Sequence, residues 1–145
     1  MIILIFLFVL SACATPSLPP RAESPAPTLA PALVAQGRAI YDADCASCHG
    51  ARGEGQPNWK IPLDDGTFLA PPHDSSGHTW HHPDFILLDI IAKGGQAPNS
   101  KMPAFRDKLA PAQMRAALEY IKTFWNAQAR EIQWTVTLNF PTPTP

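Results

Sequence analysis

Small or apolar residues recur at helical spacing in two parts of the chain. The first stripe consists of Leu33, Gly37, Ile40, Tyr41, Cys45 and Cys48. The second stripe consists of Met114, Ala117, Leu118, Ile121 and Trp125. Residues that repeat every three or four positions lie on one face of a helix, and Pro111 is acceptable as the first residue of the second one. The pattern therefore predicts two core-facing helices, one near each end of a helical domain.

A shorter helix is predicted over residues 85–93, between Pro83-Asp84 and Gly94-Gly95. Proline and aspartate are typical of a helix start, and glycine is typical of a helix end. The apolar residues of this segment are Phe85, Leu87, Leu88, Ile90 and Ile91. They surround much of the helix rather than one stripe, so we expect it to be covered on more than one side.

From Ile132 to Phe140, apolar and polar residues alternate. A period of two is typical of a half-buried strand, although a lone strand has no ladder partner in a helical domain. We expect an extended arm that either packs on its own domain, which we favour, or adds to the sheet edge of a partner. Residues 33–131 then form the domain, and residues 132–145 form the arm and a Pro/Thr tail.

The chain opens with an apolar run that ends at Leu10. A bilayer-spanning helix needs about 20 residues, so this shorter run fits a signal peptide over residues 1–12. Leu10-Ser11-Ala12-Cys13 follows and resembles the lipobox of bacterial lipoproteins, in which the cysteine is acylated. The resemblance implies lipidation of Cys13 and a location at the outer face of the cytoplasmic membrane, in the periplasm or at the cell surface. The alternative is an ordinary cleaved signal peptide with an incidental cysteine.

Composition separates the ends of the chain from its middle. The 17 prolines are concentrated towards both ends. Residues 13–32, rich in Pro, Ala, Ser and Thr, bury too little apolar surface to fold and are predicted to form a tether that lets the domain approach its partners. The formal net charge of -1 argues against nucleic-acid binding, for which a basic surface is expected.

The most specific chemical signal is Cys45-Ala-Ser-Cys48-His49. Two thiols at this spacing add to the two vinyl groups of one haem, and the adjacent histidine becomes the proximal iron ligand. A thioredoxin-like thiol pair is a weaker alternative, because it needs a strand–helix–strand context that the flanking sequence lacks. A zinc site that includes His78 and His82 is also weaker, because these residues lie too far along the chain from Cys48 for a zinc finger.

Together with Gln36-Gly37 and Ile40-Tyr41, this motif resembles the class I monohaem cytochromes c. The resemblance implies an all-α fold in which the N- and C-terminal helices cross at Gly37 and loops enclose one covalent haem c. It also implies an electron carrier rather than an enzyme. Its partners would be a quinol-linked or other donor and a terminal oxidase or reductase as acceptor.

Lys101-Met102-Pro103-Ala104-Phe105 resembles the methionine loop of the same family, which implies Met102 as the distal iron ligand. Pro103 restricts the backbone of Met102 to extended conformations. Methionine and histidine together raise the reduction potential relative to two imidazoles. The alternative function is a fixed redox subunit, or a haem protein that serves an adjacent copper or substrate site.

Residues 73–82 contain most of the histidines in the chain, namely His73, His78, His81 and His82. Clustered imidazoles are compatible with a second metal site, for which copper is the natural candidate, or with a polar loop near the haem propionates. We expect none of the four to ligate the haem iron. At least one should contact a propionate or the exposed haem edge and couple its protonation to the reduction potential.

Overall fold

The computed structural model describes residues 25–97 and 99–140. Five α-helices lie in this part of the chain: α1 (Pro31–Asp44), α2 (Ala46–His49), α3 (Asp84–Lys93), α4 (Pro111–Ile121) and α5 (Ala127–Asn139). Two 3₁₀ turns, Thr79–His81 and Lys122–Phe124, complete the regular structure. The described residues contain no strand, and the all-α prediction is confirmed. Cys13, with the rest of residues 1–24, and the tail 141–145 lie outside the described residues.

Helices α1 and α4 cross in close contact. Gly37 is buried in α1, and a Cβ atom at this position would overlap the carbonyl oxygen of Ala116 in α4. Ala116 and Ala117 are themselves almost completely buried, so small residues on both helices bring the two backbones together. The predicted crossing of the N- and C-terminal helices of the domain at Gly37 is confirmed.

The start of α4 lacks a side-chain cap, because Ala110 occupies the capping position. Gln113 compensates in part, since its Oε1 atom accepts the backbone N–H of Ala110 at 2.9 Å. The predicted stripe faces inward: Met114, Ala117, Leu118 and Ile121 of α4 are buried, and so is Trp125, which follows the 3₁₀ turn after α4. Met114 packs with Phe105 and Leu109 in a small core cluster.

Helix α3 begins one residue before the predicted segment and ends, as predicted, at Gly94. Gly94 has a φ of 88°, and a Cβ atom there would come within 2.7 Å of the carbonyl oxygen of Met102. Glycine at this position therefore both ends the helix and lets the segment around Met102 approach it closely.

The prediction of an extended arm over residues 132–140 is wrong, because residues 127–139 form α5. The Asn126 Oδ1 atom accepts the backbone N–H of Ala129 at 2.8 Å and caps the helix. Ala, Gln, Arg and Glu fill the first turns, and these are strong helix formers. A helix satisfies its own backbone groups, whereas a lone strand in a helical domain would leave them unpaired. Ala129 and Gln133, one turn apart, are buried, and α5 packs against the 3₁₀ turn Thr79–His81.

Residues 25–30, which belong to the segment assigned to the tether, lie against α4 and α5. Three hydrogen bonds hold this strap: Ala26 N–H to Glu131 Oε2, Ala30 N–H to Glu119 Oε1, and Arg130 Nη2 to the carbonyl of Pro27, each at 3.0 Å. Among the residues described, no helix is both long and apolar enough to cross a membrane.

Candidate functional site

A cavity of about 990 Å³ opens among α2, α3, the segment around Met102 and residues 56–82. Its volume lies at the upper end of the range of about 300–1,000 Å³ that is typical of small-molecule and cofactor sites. The α3 residues that line it are Ile86, Leu87, Ile90 and Ile91, and Phe105 and Leu109 add further apolar surface. Cys45, Cys48, His49 and Met102 all line this cavity, so the structure brings the four predicted site residues together.

The two cysteine thiols stand on one tight turn. Helix α2 begins directly after Cys45, and the backbone N–H of Cys48 donates to the Cys45 carbonyl at 3.1 Å. Neither thiol is in a disulfide. Burial and, to a smaller extent, the neighbouring Asp44 carboxylate together raise the pKa of the Cys45 thiol to about 11. Both sulfur atoms are therefore available to react with a group in the cavity, and Cys45 carries its proton at neutral pH.

His49 is held in one tautomer. Its ring is only 7% exposed, and Nδ1 lies 2.9 Å from the carbonyl oxygen of Pro71. Because a carbonyl oxygen only accepts, Nδ1 carries the hydrogen and Nε2 keeps its lone pair. Burial lowers the pKa of the imidazole, although the bond to Pro71 opposes this shift. A neutral imidazole with a free Nε2 is the form that binds a metal ion.

Met102 is half-buried in the cavity wall. Its backbone N–H donates to Ser100 Oγ at 3.3 Å, and its carbonyl accepts the N–H of Gly95 at the same distance. Further along, the N–H of Phe105 donates to the carbonyl of Ile91 at 3.1 Å. These bonds fix the segment to the end of α3, and the Met102 side chain packs against the Phe105 cluster.

This donor set fits a covalently attached haem. Two thiols, a neutral imidazole and a thioether are the groups that attach and ligate haem c, and the apolar wall of α3 suits a flat, largely apolar macrocycle. The fit explains why several apolar side chains of α3 are only partly buried, since their exposed surface faces the cavity.

The histidine-rich segment divides between two environments. His73, His78 and His82 line the cavity, whereas His81 packs edge-on against Trp80, with ring centroids 3.8 Å apart. His78 and His82 meet edge to face at 5.7 Å. Burial and the neighbouring imidazoles lower the pKa of both.

Trp59 and Lys60 extend this group and were not anticipated from the sequence. The Trp59 ring stacks on His78 at 5.6 Å, and the Lys60 ammonium lies 4.9 Å from the Trp59 ring centroid. Trp59, Lys60, His78 and His82 form one polar cluster on the cavity wall. In residues 25–97 and 99–140, no group of three or more His, Cys, Asp or Glu side chains is arranged to hold a metal ion.

The buried side-chain amide of Gln133 connects α5 to this cluster, and this contact was also not anticipated from the sequence. Gln133, 2% exposed, donates through Nε2 to Asp84 Oδ1 at 2.6 Å and to the His82 carbonyl at 3.2 Å. The second Asp84 oxygen accepts from Lys122 Nζ at 2.8 Å. This contact was not expected because a strand was predicted here, and only a helix brings Gln133 onto the buried face.

Comparisons with known proteins agree with this geometry. Residues 34–125 match the family model described as Cytochrome c. The chain is 29% identical over 113 residues to the Cbb3-type cytochrome c oxidase subunit FixP of Sinorhizobium medicae (strain WSM419). That alignment covers 72% of this chain but 34% of the relative, so the chain spans about a third of the relative's length. No solved structure gives a significant match to the chain.

Proposed function

The chain belongs to the cytochrome c family, and from this premise we propose that it carries single electrons through one haem attached at Cys45 and Cys48. The observation that supports this most strongly is the convergence of both thiols, the free Nε2 of His49 and Met102 on one apolar cavity. When bound, the haem supplies a one-electron iron couple.

The protein's own residues would set the properties of that couple. His49 would bind the iron through Nε2, with Pro71 holding the ring in the required tautomer. Met102 would supply its thioether as the second protein ligand, which raises the potential relative to a second imidazole. With His49 and Met102 both holding the iron, no ligand position would remain for oxygen or a substrate, so we propose a carrier rather than an enzyme.

We propose a terminal oxidase or reductase as the electron acceptor and a quinol-linked complex as the donor. The similarity to a protein named as an oxidase subunit supports the oxidase. The same similarity favours a second candidate function, in which the chain is a fixed redox subunit of such an assembly. The two functions differ in whether the purified protein exchanges electrons as a free, diffusing partner.

We propose that Cys13 is acylated and holds the domain at the outer face of the cytoplasmic membrane, in the periplasm or at the cell surface. The support is the Leu-Ser-Ala-Cys sequence after an apolar run. Because Ala26 is hydrogen-bonded to Glu131 of α5, the chain from Cys13 to Ala26 spans at most about 47 Å when fully extended. The haem domain would therefore work close to the membrane surface.

The intact mass of the purified, denatured full-length protein tests both covalent proposals. We expect the mass of one haem added to the polypeptide, and a diacyl mass on a chain that begins at Cys13. Cys45→Ser should lose normal attachment, whereas Cys13→Ser, the matched control, should keep the haem and lose only the lipid. Haem that separates from the denatured wild-type polypeptide would contradict the attachment, and an unmodified N-terminus other than Cys13 would contradict the anchor.

A further inference from the structure

The imidazole of His73 lies almost flat against that of His49. The two ring centroids are 3.9 Å apart and the planes differ by 16°. Both side chains are nearly completely buried, so no solvent separates them. The residue proposed as the proximal iron ligand therefore has a second imidazole covering one face.

His73 is fixed by its backbone rather than by its side chain. Its N–H donates to the carbonyl of Gly53, and its carbonyl accepts from Trp125 Nε1, both at 2.7 Å. Gly53 has a φ of 72°, and a Cβ atom there would come within 2.8 Å of the Phe124 ring. The ring position is thus set by short bonds to buried neighbours, independently of any bond that the imidazole makes.

Aromatic rings support His73 in turn. The Tyr41 ring lies 5.8 Å from the His73 ring, and Tyr41 makes edge contacts with Tyr120 and Phe124 at 5.4 and 5.3 Å. Tyr41 is fully buried, and its hydroxyl donates to the Gly50 carbonyl at 3.0 Å. Through these contacts, the His49 ring rests on the crossing of α1 and α4.

The choice of histidine at this position has a cost. Its Nδ1 atom is buried without a hydrogen-bond partner among the described residues, and an unpaired buried polar atom destabilises the folded state. Burial also holds the pKa of His73 well below its ordinary value, ahead of smaller contributions from His49 and His78. The ring is therefore neutral, and its five-membered shape matches the ring that it covers.

We propose that His73 is a positioning residue that fixes the plane of the His49 ring around the direction of its bond to iron. The bond from Nδ1 to Pro71 sets the tautomer, but a hydrogen bond tolerates a range of angles, so it leaves the ring some freedom to tilt about its Cβ–Cγ bond. A flat surface in contact with one face removes that freedom. This inference rests on the proposed ligation of iron by His49.

The plane of an axial imidazole controls the anisotropy of a low-spin ferric haem, which is measured by the g-values in electron paramagnetic resonance and by the spread of the haem methyl proton shifts. We would compare the full-length ferric protein with His73→Ala and His73→Phe, using His81→Ala as the matched control. His73→Ala should shift the g-values and the methyl spread, because the stacking surface is lost. His73→Phe should stay close to wild type, because a flat ring remains, and His81→Ala should leave both measurements unchanged.

The result that overturns the inference is a low-spin His73→Ala spectrum with wild-type g-values and methyl shifts, even if its melting temperature falls. A His73→Phe protein that departs from wild type as far as His73→Ala would also overturn it, because the ring face would then not be the cause. Loss of low-spin ligation in His49→Ala is expected on the proposed function, and its retention would contradict that function separately.

Discussion

Replacing Gly37 with alanine should have two opposite effects on the free energy of unfolding. Within a helix, alanine is more favourable than glycine by about 1 kcal/mol, and Gly37 has no unusual backbone conformation that would favour glycine. The added methyl group, however, would overlap the Ala116 carbonyl and lie 2.9 Å from the Cβ atom of Tyr120. A backbone carbonyl cannot rotate away as a flexible side chain can, so α1 and α4 must separate.

The overlap should outweigh the helical preference. Overpacking a well-packed core costs about 1–3 kcal/mol, and rigid backbone on one side places Gly37→Ala at the upper end of that range. After subtraction of the helical gain, we expect a loss of about 2 kcal/mol in the free energy of unfolding. For a domain of this size that loss corresponds to a decrease of about 8 °C in the melting temperature.

Guanidinium and thermal unfolding of the haem-loaded protein measure this difference. Ala39→Gly, at an exposed position in the same helix, is the matched control and should cost about 1 kcal/mol through helical preference alone. A Gly37→Ala protein that unfolds at a higher denaturant concentration than wild type would show that helical preference dominates. The close crossing of the two helices would then be refuted.

Three further outcomes are expected. Met102→Ala should lose the weak near-infrared charge-transfer band of Fe(III)–sulfur ligation, and Met114→Leu, a change in the core, should keep it; a band that survives in Met102→Ala would exclude this ligand. The reduction potential should be constant above a pH of about 6.5 and rise as the pH falls below it, because His78 and His82 have a lowered pKa and their protonated forms favour the added electron. Replacing both histidines with Gln should flatten this pH dependence, and an unchanged slope would reject their role. Gln133→Ala should lower the free energy of unfolding by about 1–3 kcal/mol, because the partly buried His82 and Asp84 acceptors lose a donor; an effect no larger than that of a substitution at an exposed position of α5 would contradict this.

Local patterns made the helices of the domain predictable. The stripe from Met114 to Trp125 repeats at helical spacing, and every member is buried. The Cys-x-x-Cys-His motif likewise depends on residues adjacent in sequence, so its chemistry is readable without a structure. Gly37 was predictable for a different reason, because the family resemblance attached a packing role to it.

The misassigned C-terminal segment shows where local pattern fails. Alternation from Ile132 to Phe140 and the β-branched residues within it favour a strand. The opposing signals were Asn126, a good helix cap, and the helix formers directly after it. The choice between strand and helix depends on a tertiary contact, since the helix places the buried Gln133 against Asp84. A period-two pattern in the sequence contains no information about that contact.

Contacts made by residues of the long loop could not be predicted from the sequence for a related reason. His49 and His73 stack although many residues separate them, and Trp59 stacks on His78. The path of residues 51–72 decides both contacts, and that path depends on glycines that allow close backbone approach, as at Gly55 against Pro72. Sequence spacing identified the histidines as a group but did not separate the buried one from the others.

Helix α5 lies beyond the part of the chain that matches the family, and its contacts assign it a connecting role. One side of it holds the strap through Arg130 and Glu131, and its buried side holds the start of α3 and the His82 carbonyl through Gln133. Neither Arg130 nor Glu131 lines the cavity, and nor does Glu119, the third residue that binds the strap.

A domain held from Cys13 would therefore be attached through the surface of α4 and α5. The cavity wall formed by the Trp59 and His78 cluster would stay uncovered by the strap, where an electron-transfer partner could approach it.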